Sequence, residues 1–268
     1  MADSVEPWNE TDCAKYLRKP TATDNKYRRG VLGCFAGSKE FPGAALLTTA
    51  AAIESGVGMV RYLGPKNVAK LVILNRPEVV IKTGKIDALL MGSGISDPAN
   101  WFTKYQMCKM IKNKIPKVLD AGALYLTGLN MAPIIITPHN GELAKLLKCE
   151  SIDVEREPIK HAVSAAKKYQ VTVLLKGKYT IVTDGARIIQ LPAATSYLAT
   201  AGTGDVLAGI LGALIALNKG EVTKQNLIEI GATAAFIHAK SAENTSLGPI
   251  SSSAMIHKIA SSIANLSI

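Results

Sequence analysis

The chain has 268 residues and a formal net charge of +10, and its composition is 48% hydrophobic but only 5% aromatic. Its four cysteines lie far apart, which excludes a disulfide framework and a zinc site of the usual spacing, and no apolar run is long enough to cross a membrane. We therefore expect a soluble, cytoplasmic protein with one domain over residues 1–268, in which residues 1–18 form a polar and potentially flexible lead.

Strand-like and helix-like segments alternate through the first half of the chain. The predicted strands are 30–36, 57–63, 78–82, 86–91, 117–120 and 134–137. The predicted helices between the early strands are 43–55 and 66–75, and each later strand is followed by a turn signal and a helical stretch. This alternation predicts an α/β fold with a mostly parallel sheet.

The segment 171–191 has a different character. Its strand-like pieces TVLLKG, YTIVTDG and RIIQL are separated by very short turns, which predicts an antiparallel hairpin at the edge of the sheet. Helices that begin at Gly204, Thr223 and Ser251 complete the chain.

LATAGTGDVLAG, at 198–209, places glycines and one carboxylate at the start of an apolar helix. Gly202 and Gly204 allow a tight turn, and the free N–H groups of a helix start attract anions. Asp205 could there accept a proton from a substrate hydroxyl. A phosphate site is one interpretation; in the other, Asp205 only caps the helix.

Further polar or glycine-rich segments follow the predicted strands. Because ligands bind beyond the carboxyl ends of parallel strands, we expect these segments to converge on one site. They are Gly37 and Ser38, 92–94, Asp120, 137–142, 176–180 and 202–205.

Four segments, in this order and spacing, resemble the ADP/ATP-dependent NAD(P)H-hydrate dehydratases. They are AGSKEFPGAALLTTAAAIESGVGMV at 36–60, ITPHNGELAKLL at 136–147, VLLKGKYTIVTDG at 173–185 and LATAGTGDVLAGILGALIA at 198–216. The GTGD motif is shared across the ribokinase-like superfamily, whereas the ordered set points to the dehydratase branch. No Walker A sequence is present, which argues against a P-loop enzyme.

The resemblance implies a ribokinase-like three-layer sandwich with helices on both faces of the sheet. It also implies a hydro-lyase of nicotinamide nucleotide repair, which phosphorylates the ring hydroxyl of NADHX or NADPHX and then eliminates phosphate. ADP or ATP would be the phosphoryl donor, and Mg²⁺ is expected with ligands unknown. A homo-oligomer, a tetramer in the family, is also implied.

The resemblance assigns roles to individual residues. Asp205 would be the general base, while Gly202, Thr203 and Gly204 would present N–H groups to the phosphoryl group. The hydrated dinucleotide would contact Ala44, Gly94, His139 and Asp205. The adenine nucleotide would contact Lys176, Gly177, Lys178, Tyr179, Thr180 and Gly204.

Several of these assignments have structural alternatives. The KGKYT segment also fits an ordinary hairpin with an exposed lysine, and small residues at 44 and 94 fit helix–sheet packing equally well. His139 could be the neighbour of a cap made by Thr137 or Asn140.

Two acidic residues and three histidines complete the set of candidates. Glu142 is either a first-turn acid of the next helix or a residue that orders magnesium-bound water. Asp120 either lies near the phosphates or only starts a helix. We interpret the remaining histidines as structural; they are His161, His238 and His257.

The sequence departs from the family pattern at three places. GSG stands at 92–94 where the family commonly has GPG, Gly122 stands where a second acid often follows Asp120, and Asn140 stands where proline is frequent. The missing acid puts the tightness of magnesium binding in question.

Two other functions compete with dehydration. A kinase of the same superfamily, acting on a hydroxymethylpyrimidine or a thiazole alcohol, would share the GTGD base. The basic segments 15–29 and 104–117 also admit a nucleotide-sensing or nucleic-acid-binding module without turnover. Because few aromatic residues are interleaved there, we favour solvated helix faces, or steering of an anionic nucleotide, and expect no nucleic-acid partner.

Overall fold

Nine strands form one sheet in the computed structural model, which describes residues 5–96, 100–129 and 132–266. The strands are β1 (Val5–Pro7), β2 (Val31–Phe35), β3 (Met59–Tyr62), β4 (Ala88–Met91), β5 (Lys117–Leu119), β6 (Ile134–Ile136), β7 (Thr172–Leu175), β8 (Ile181–Thr183) and β9 (Ile188–Gln190). Their order across the sheet is β1-β9-β8-β7-β6-β5-β4-β2-β3. Only β8 runs antiparallel to its two neighbours, so the predicted mostly parallel sheet is confirmed.

Helices cover both faces of this sheet. They are α1 (Glu10–Ala14), α2 (Pro42–Glu54), α3 (Lys66–Asn75), α4 (Trp101–Met110), α5 (Asn140–Leu147), α6 (Ser151–Arg156), α7 (Pro158–Tyr169), α8 (Thr203–Leu217), α9 (Leu227–Glu243) and α10 (Ser252–Leu266). Short 3₁₀ helices span Ala121–Leu126 and Ser196–Leu198.

Two apolar cores lie on either side of the sheet, because successive strand residues point to opposite faces. In β4, Leu90 packs into the core formed with α2, α8, α9 and α10. Its neighbours Leu89 and Met91 pack into the other core, with α4, α5 and α7. The predicted three-layer sandwich is therefore confirmed.

The predicted strand at 78–82 is wrong. Only Val80 pairs with β3, through a single bridge to Arg61. The guanidinium group of Arg61 donates to the carbonyl oxygens of Lys82 at 2.6 Å and Lys85 at 3.2 Å. Residue 82 lies in a bend and residues 83–86 are not in a strand, and these bonds hold this segment against Arg61.

The N-terminal lead contributes to the sheet rather than trailing from it. β1 pairs in parallel with β9, and Arg187 donates to both carboxylate oxygens of Glu6, at 2.8 and 3.1 Å. The antiparallel strands predicted within 171–191 are confirmed, but β1 rather than β9 is the edge strand.

Over the residues that the structure describes, no helix is both long enough and apolar enough to span a membrane. All four cysteines are free thiols.

Candidate active site

Asp120, directly after β5, lies at the centre of a buried polar cluster. One carboxylate oxygen accepts hydrogen bonds from the hydroxyl of Thr137 at 2.7 Å and from Lys176 Nζ at 3.0 Å. The other accepts from the hydroxyl of Ser93 at 2.9 Å. The residue is only 3% exposed, and its side chain does not cap the 3₁₀ helix that follows. The carboxylate instead joins the carboxyl ends of β4, β5, β6 and β7.

Lys176, directly after β7, is the cation of this cluster. Burial lowers its pKa, but the carboxylates of Asp120, Glu142 and Asp205 outweigh burial and raise the pKa overall. Besides its bond to Asp120, Lys176 Nζ lies 3.8 Å from Glu142 Oε2. It also lies 3.6 Å from the position that a Cβ on Gly204 would take. A permanent positive charge therefore sits beside the start of α8, where it can bind a phosphate.

Asp205 occupies the first turn of α8. Gly202 is the N-cap residue, with φ +90°, and no side chain makes the capping bond, so Asp205 does not cap the helix. Burial raises the pKa of Asp205 to about 7, the charge of Asp120 adds to this, and Lys176 opposes it. Its carboxylate receives no hydrogen bond from the described part of the chain. Asp205 can therefore exchange a proton near neutral pH, as a general base must.

The backbone at the start of α8 leaves donors open. Within the described ranges, the N–H groups of Gly202, Gly204 and Asp205 donate to no carbonyl, whereas the N–H of Thr203 lies 3.4 Å from the carbonyl oxygen of Thr200. Unpaired N–H groups at a helix start attract anions. Of the three predicted N–H donors, Gly202 and Gly204 are open and Thr203 is partly engaged.

His139 caps α5 with its own side chain. Its Nδ1 accepts from the N–H groups of Gly141 at 3.1 Å and Glu142 at 3.4 Å, and Glu142 accepts from the N–H of His139 at 2.8 Å. The alternative with Thr137 or Asn140 as the cap is therefore wrong. The imidazole is 60% exposed, and a β-bridge sets His139 beside Lys176. Its exposed edge can still contact a ligand.

Ala44 and Gly94 lie against each other. Gly94 has φ +65°, and a Cβ at this position would lie 2.3 Å from the Cβ of Ala44 and 2.9 Å from the carbonyl oxygen of Phe41. Close packing of α2 on the loop after β4 accounts for both small residues. Contact with substrate stays a prediction for this pair.

The KGKYT turn joins β7 to β8 at the protein surface. Gly177, Lys178 and Tyr179 are exposed, and Thr180 is half-buried. The ammonium group of Lys178 lies 5.3 Å from the centre of the Tyr179 ring. The turn is thus an accessible surface next to Lys176, and its contact with a nucleotide stays a prediction.

Comparison with known proteins identifies the family. A family model described as NAD(P)H-hydrate dehydratase matches residues 32–265. The chain belongs to this dehydratase family. One relative, the bifunctional NAD(P)H-hydrate repair enzyme Nnr of Mycobacterium leprae (strain TN), is 33% identical over 279 residues, covering 95% of this chain and 55% of the relative. The chain spans about half the length of the curated relatives it matches.

Solved structures share the fold. The ADP/ATP-dependent NAD(P)H-hydrate dehydratase of Bacillus subtilis, co-crystallised with ATP and Mg²⁺, is 22% identical, with a TM-score of 0.86 and coverage of 99% of each chain. A ribokinase-like superfamily protein of Enterococcus faecalis V583 is 18% identical, with a TM-score of 0.86 and coverage of 98% of this chain and 96% of the other. The predicted ribokinase-like fold is therefore confirmed.

Two of the three departures from the dehydratase pattern have a structural basis. Ser93, in the GSG segment, supplies the hydroxyl that binds Asp120, a bond that proline cannot make. A Cβ on Gly122 would lie 2.3 Å from the carbonyl oxygen of Ile95, so an acidic side chain does not fit there without a shift of the backbone.

Two contacts at the site are not predicted from the sequence. Ser93 lies in the predicted segment 92–94, but the bond from its hydroxyl to Asp120 is not foreseen, although a hydroxyl between two glycines at a strand end is itself a signal of a polar contact. His238, interpreted as structural, contacts the start of α8: its Nε2 lies 2.9 Å from the carbonyl oxygen of Thr203. No motif in α9 marks this contact.

Proposed function

We propose that this chain dehydrates NADHX and NADPHX to NADH and NADPH, using ADP or ATP as the phosphoryl donor. The observation that carries the proposal is the position of Asp205 in the first turn of α8. Its carboxylate, with a pKa of about 7, stands beside the open N–H groups of Gly202 and Gly204 and the cation of Lys176. A base next to an anion site is what phosphorylation of a hydroxyl requires.

In the first step, the ring hydroxyl oxygen forms a bond to the terminal phosphorus while the bond from that phosphorus to the nucleotide breaks. Asp205 takes the hydroxyl proton. Lys176 and the N–H of Gly204 stabilise the charge on the phosphoryl oxygens. In the second step, the ring nitrogen supplies the electron pair that expels phosphate, which is a far better leaving group than hydroxide. The iminium ion formed in this way loses a proton from the neighbouring ring carbon to the released phosphate or to water, and this restores the ring double bond of NADH or NADPH.

Mg²⁺ would accompany the nucleotide, as in the crystals of the Bacillus subtilis protein. The described ranges hold no group of three or more His, Cys, Asp or Glu residues that could bind a metal. Phosphate oxygens and water would therefore be its main ligands, as is common for Mg²⁺. Bound in this way, the ion would neutralise phosphate charge. Glu142, partly exposed beside Lys176, is the carboxylate placed to bind its water.

The other contacts are proposed from the family pattern together with their positions. His139, Ala44 and Gly94 would line the dinucleotide side of the site. The exposed turn 177–180 would hold the adenine nucleotide, and the ring of Tyr179 offers a surface on which a base can stack.

The decisive experiment supplies NADHX and Mg²⁺ with ADP or ATP in separate reactions. We expect recovery of the near-ultraviolet absorbance of NADH together with release of inorganic phosphate, and the nucleotide that supports recovery is the donor. Folded protein that gives neither signal with either nucleotide would refute the proposal. Asp205→Asn is the matched inactive control.

The kinase alternative predicts a different fate for the phosphate. A kinase leaves phosphate on an organic product, so release that depends on hydrated cofactor separates the two reactions. The match to the dehydratase family favours dehydration. For the binding-module alternative, tight and salt-dependent binding of nucleic acid without turnover is the distinguishing result.

We also propose a homo-oligomer, a tetramer, in the cytoplasm. α4 exposes three aromatic side chains, with Trp101 80%, Tyr105 64% and Phe102 53% exposed, which is unusual for a surface that stays in water. The four free cysteines suit a reducing compartment. Light scattering of the purified protein measures its molecular mass in solution, and a monomer would overturn the proposed homo-oligomer.

A further inference from the structure

Side chains bind two carbonyl groups of the turn 201–203, at which α8 begins. The hydroxyl of Ser252, at the start of α10, donates to the carbonyl oxygen of Ala201 at 2.7 Å. The Nε2 of His238, in α9, lies 2.9 Å from the carbonyl oxygen of Thr203. Two helices that are distant in sequence thus contact this turn through one hydrogen bond each.

Because the peptide bond is planar, a contact that fixes a carbonyl also fixes the N–H group of the next residue. In a trans peptide, the carbonyl of one residue and the N–H of the next lie in one plane and point in opposite directions. The carbonyl of Ala201 shares a peptide unit with the N–H of Gly202, and the carbonyl of Thr203 shares one with the N–H of Gly204. A donor that fixes each carbonyl therefore also fixes the direction of the open N–H on the other side.

His238 is suited to donate a hydrogen bond to the carbonyl of Thr203 because its imidazole is neutral. The residue is 9% exposed, and burial lowers its pKa to about 4, against the opposing effect of the Thr203 carbonyl, so the imidazole is neutral at neutral pH. Because a carbonyl can only accept, the proton of the neutral ring lies on Nε2. A neutral donor orients the peptide without adding a second positive charge near Lys176.

We propose that His238 and Ser252 are positioning residues, which act through the carbonyls of Thr203 and Ala201 to aim the N–H groups of Gly204 and Gly202 at the transferred phosphoryl group. This inference rests on the proposed function. Such preorganisation matters because donors fixed before the reaction need no reorganisation during it.

The test compares His238→Leu, His238→Gln and Ser252→Ala with a matched control. Removing an oxyanion donor outright costs about 100- to 1,000-fold in kcat, so misdirecting one should cost about 10- to 100-fold. We expect that loss for His238→Leu and Ser252→Ala, with KM for NADHX changed by less than about 2-fold. His238→Gln should recover much of the loss, since its amide can donate to the same carbonyl.

Ser241→Ala is the control, because Ser241 is also buried in α9 but donates to a carbonyl of its own helix, that of Ile237, at 2.7 Å. It should keep the wild-type kcat. The inference is overturned if His238→Leu and Ser252→Ala keep it too, or if Ser241→Ala loses as much. Should His238→Leu fail to fold, the kcat of Ser252→Ala and the protonation of the His238 ring in the wild type decide.

A measurement without turnover separates this inference from the proposed function. Nitrogen NMR of the imidazole should show a proton on Nε2 and no titration of His238 between about pH 5.5 and 8. Titration in that range, or a proton on Nδ1 alone, would overturn the role of His238 even in an active enzyme. An inactive wild-type protein with the expected spectrum would instead count against the proposed function.

Discussion

Asp205→Asn should stabilise the protein while it abolishes turnover. The substitution keeps the size and shape of the side chain but removes a charge whose burial is costly. The folded-state pKa is about 7 and the ordinary value is 3.8, a difference of about three units. At about 1.4 kcal/mol per unit, the charged carboxylate lowers the free energy of unfolding by about 4 kcal/mol at pH 8.

The direction of this pKa shift determines how the stabilisation by Asp205→Asn changes with pH. Because the folded-state pKa of Asp205 is raised, the wild type keeps its full free energy of unfolding only below about pH 4, where Asp205 is protonated in both states. The contribution of the protonated side chain then declines as pH rises and is lost once pH passes about 7. Relative to the wild type, Asp205→Asn should therefore gain about 4 kcal/mol at pH 8 but only about 2 kcal/mol at pH 5.

Urea unfolding at pH 5 and pH 8 measures both differences. Glu155→Gln is the matched control, since Glu155 is an exposed acid on α6, and it should change the free energy of unfolding by less than about 0.5 kcal/mol at either pH. A gain for Asp205→Asn that is equal at the two pH values, or a loss at pH 8, would show that burial does not raise the pKa of Asp205.

Three further predictions concern the same site. The kcat/KM of the wild type should rise with pH through about 7, because Asp205 must lose its proton to act as a base; a flat profile from about pH 6 to 8 contradicts this. Lys176→Met should weaken ADP and ATP binding at least about 10-fold by calorimetry and lower the free energy of unfolding by about 3 kcal/mol, since Asp120 is left buried without its cation; unchanged nucleotide affinity would remove Lys176 from the site. Gly94→Ala should cost about 1–3 kcal/mol in urea unfolding, because the new methyl would overlap Ala44 at a positive φ; a neutral effect would show that the loop relaxes freely.

The sequence was sufficient to predict that three polar residues of the candidate site lie close together. Asp120, Lys176 and Asp205 each follow a strand-like run or open a helix, and parallel strands bring such positions to one edge of the sheet. The structure joins the first two by a direct bond of 3.0 Å and sets the third within their electrostatic reach. Local sequence pattern was enough here because the parallel topology brings the carboxyl ends of these strands to the same edge of the sheet.

Contacts between distant segments could not be predicted in the same way. β1 is only three residues long; it pairs with β9, and its Glu6 forms an ion pair with Arg187. The residue pattern of the N-terminal lead does not indicate a contact with a residue as distant in sequence as Arg187. The contact of His238 with Thr203 escaped prediction for the same reason.

Local side-chain bonds also shifted a helix boundary. The helix predicted to begin at Thr223 begins at Leu227. Thr223 and Asn226 exchange bonds between side chain and backbone, at 2.8 and 3.2 Å, and so form the turn that leads into the helix, with Asn226 as its N-cap. Such residues compete with helical hydrogen bonds, which apolar periodicity does not reveal.

The close approach of Gly122 to Ile95 links two departures from the family pattern into one. An acidic residue at 122 would displace the carbonyl of Ile95, and Ile95 belongs to the same loop as Ser93, whose hydroxyl binds Asp120. A single substitution at 122 therefore cannot introduce the second acid while this loop keeps its position. Substitutions at Gly122 and in the loop 92–95 are therefore coupled: whether a change at one position is tolerated depends on the residue already present at the other.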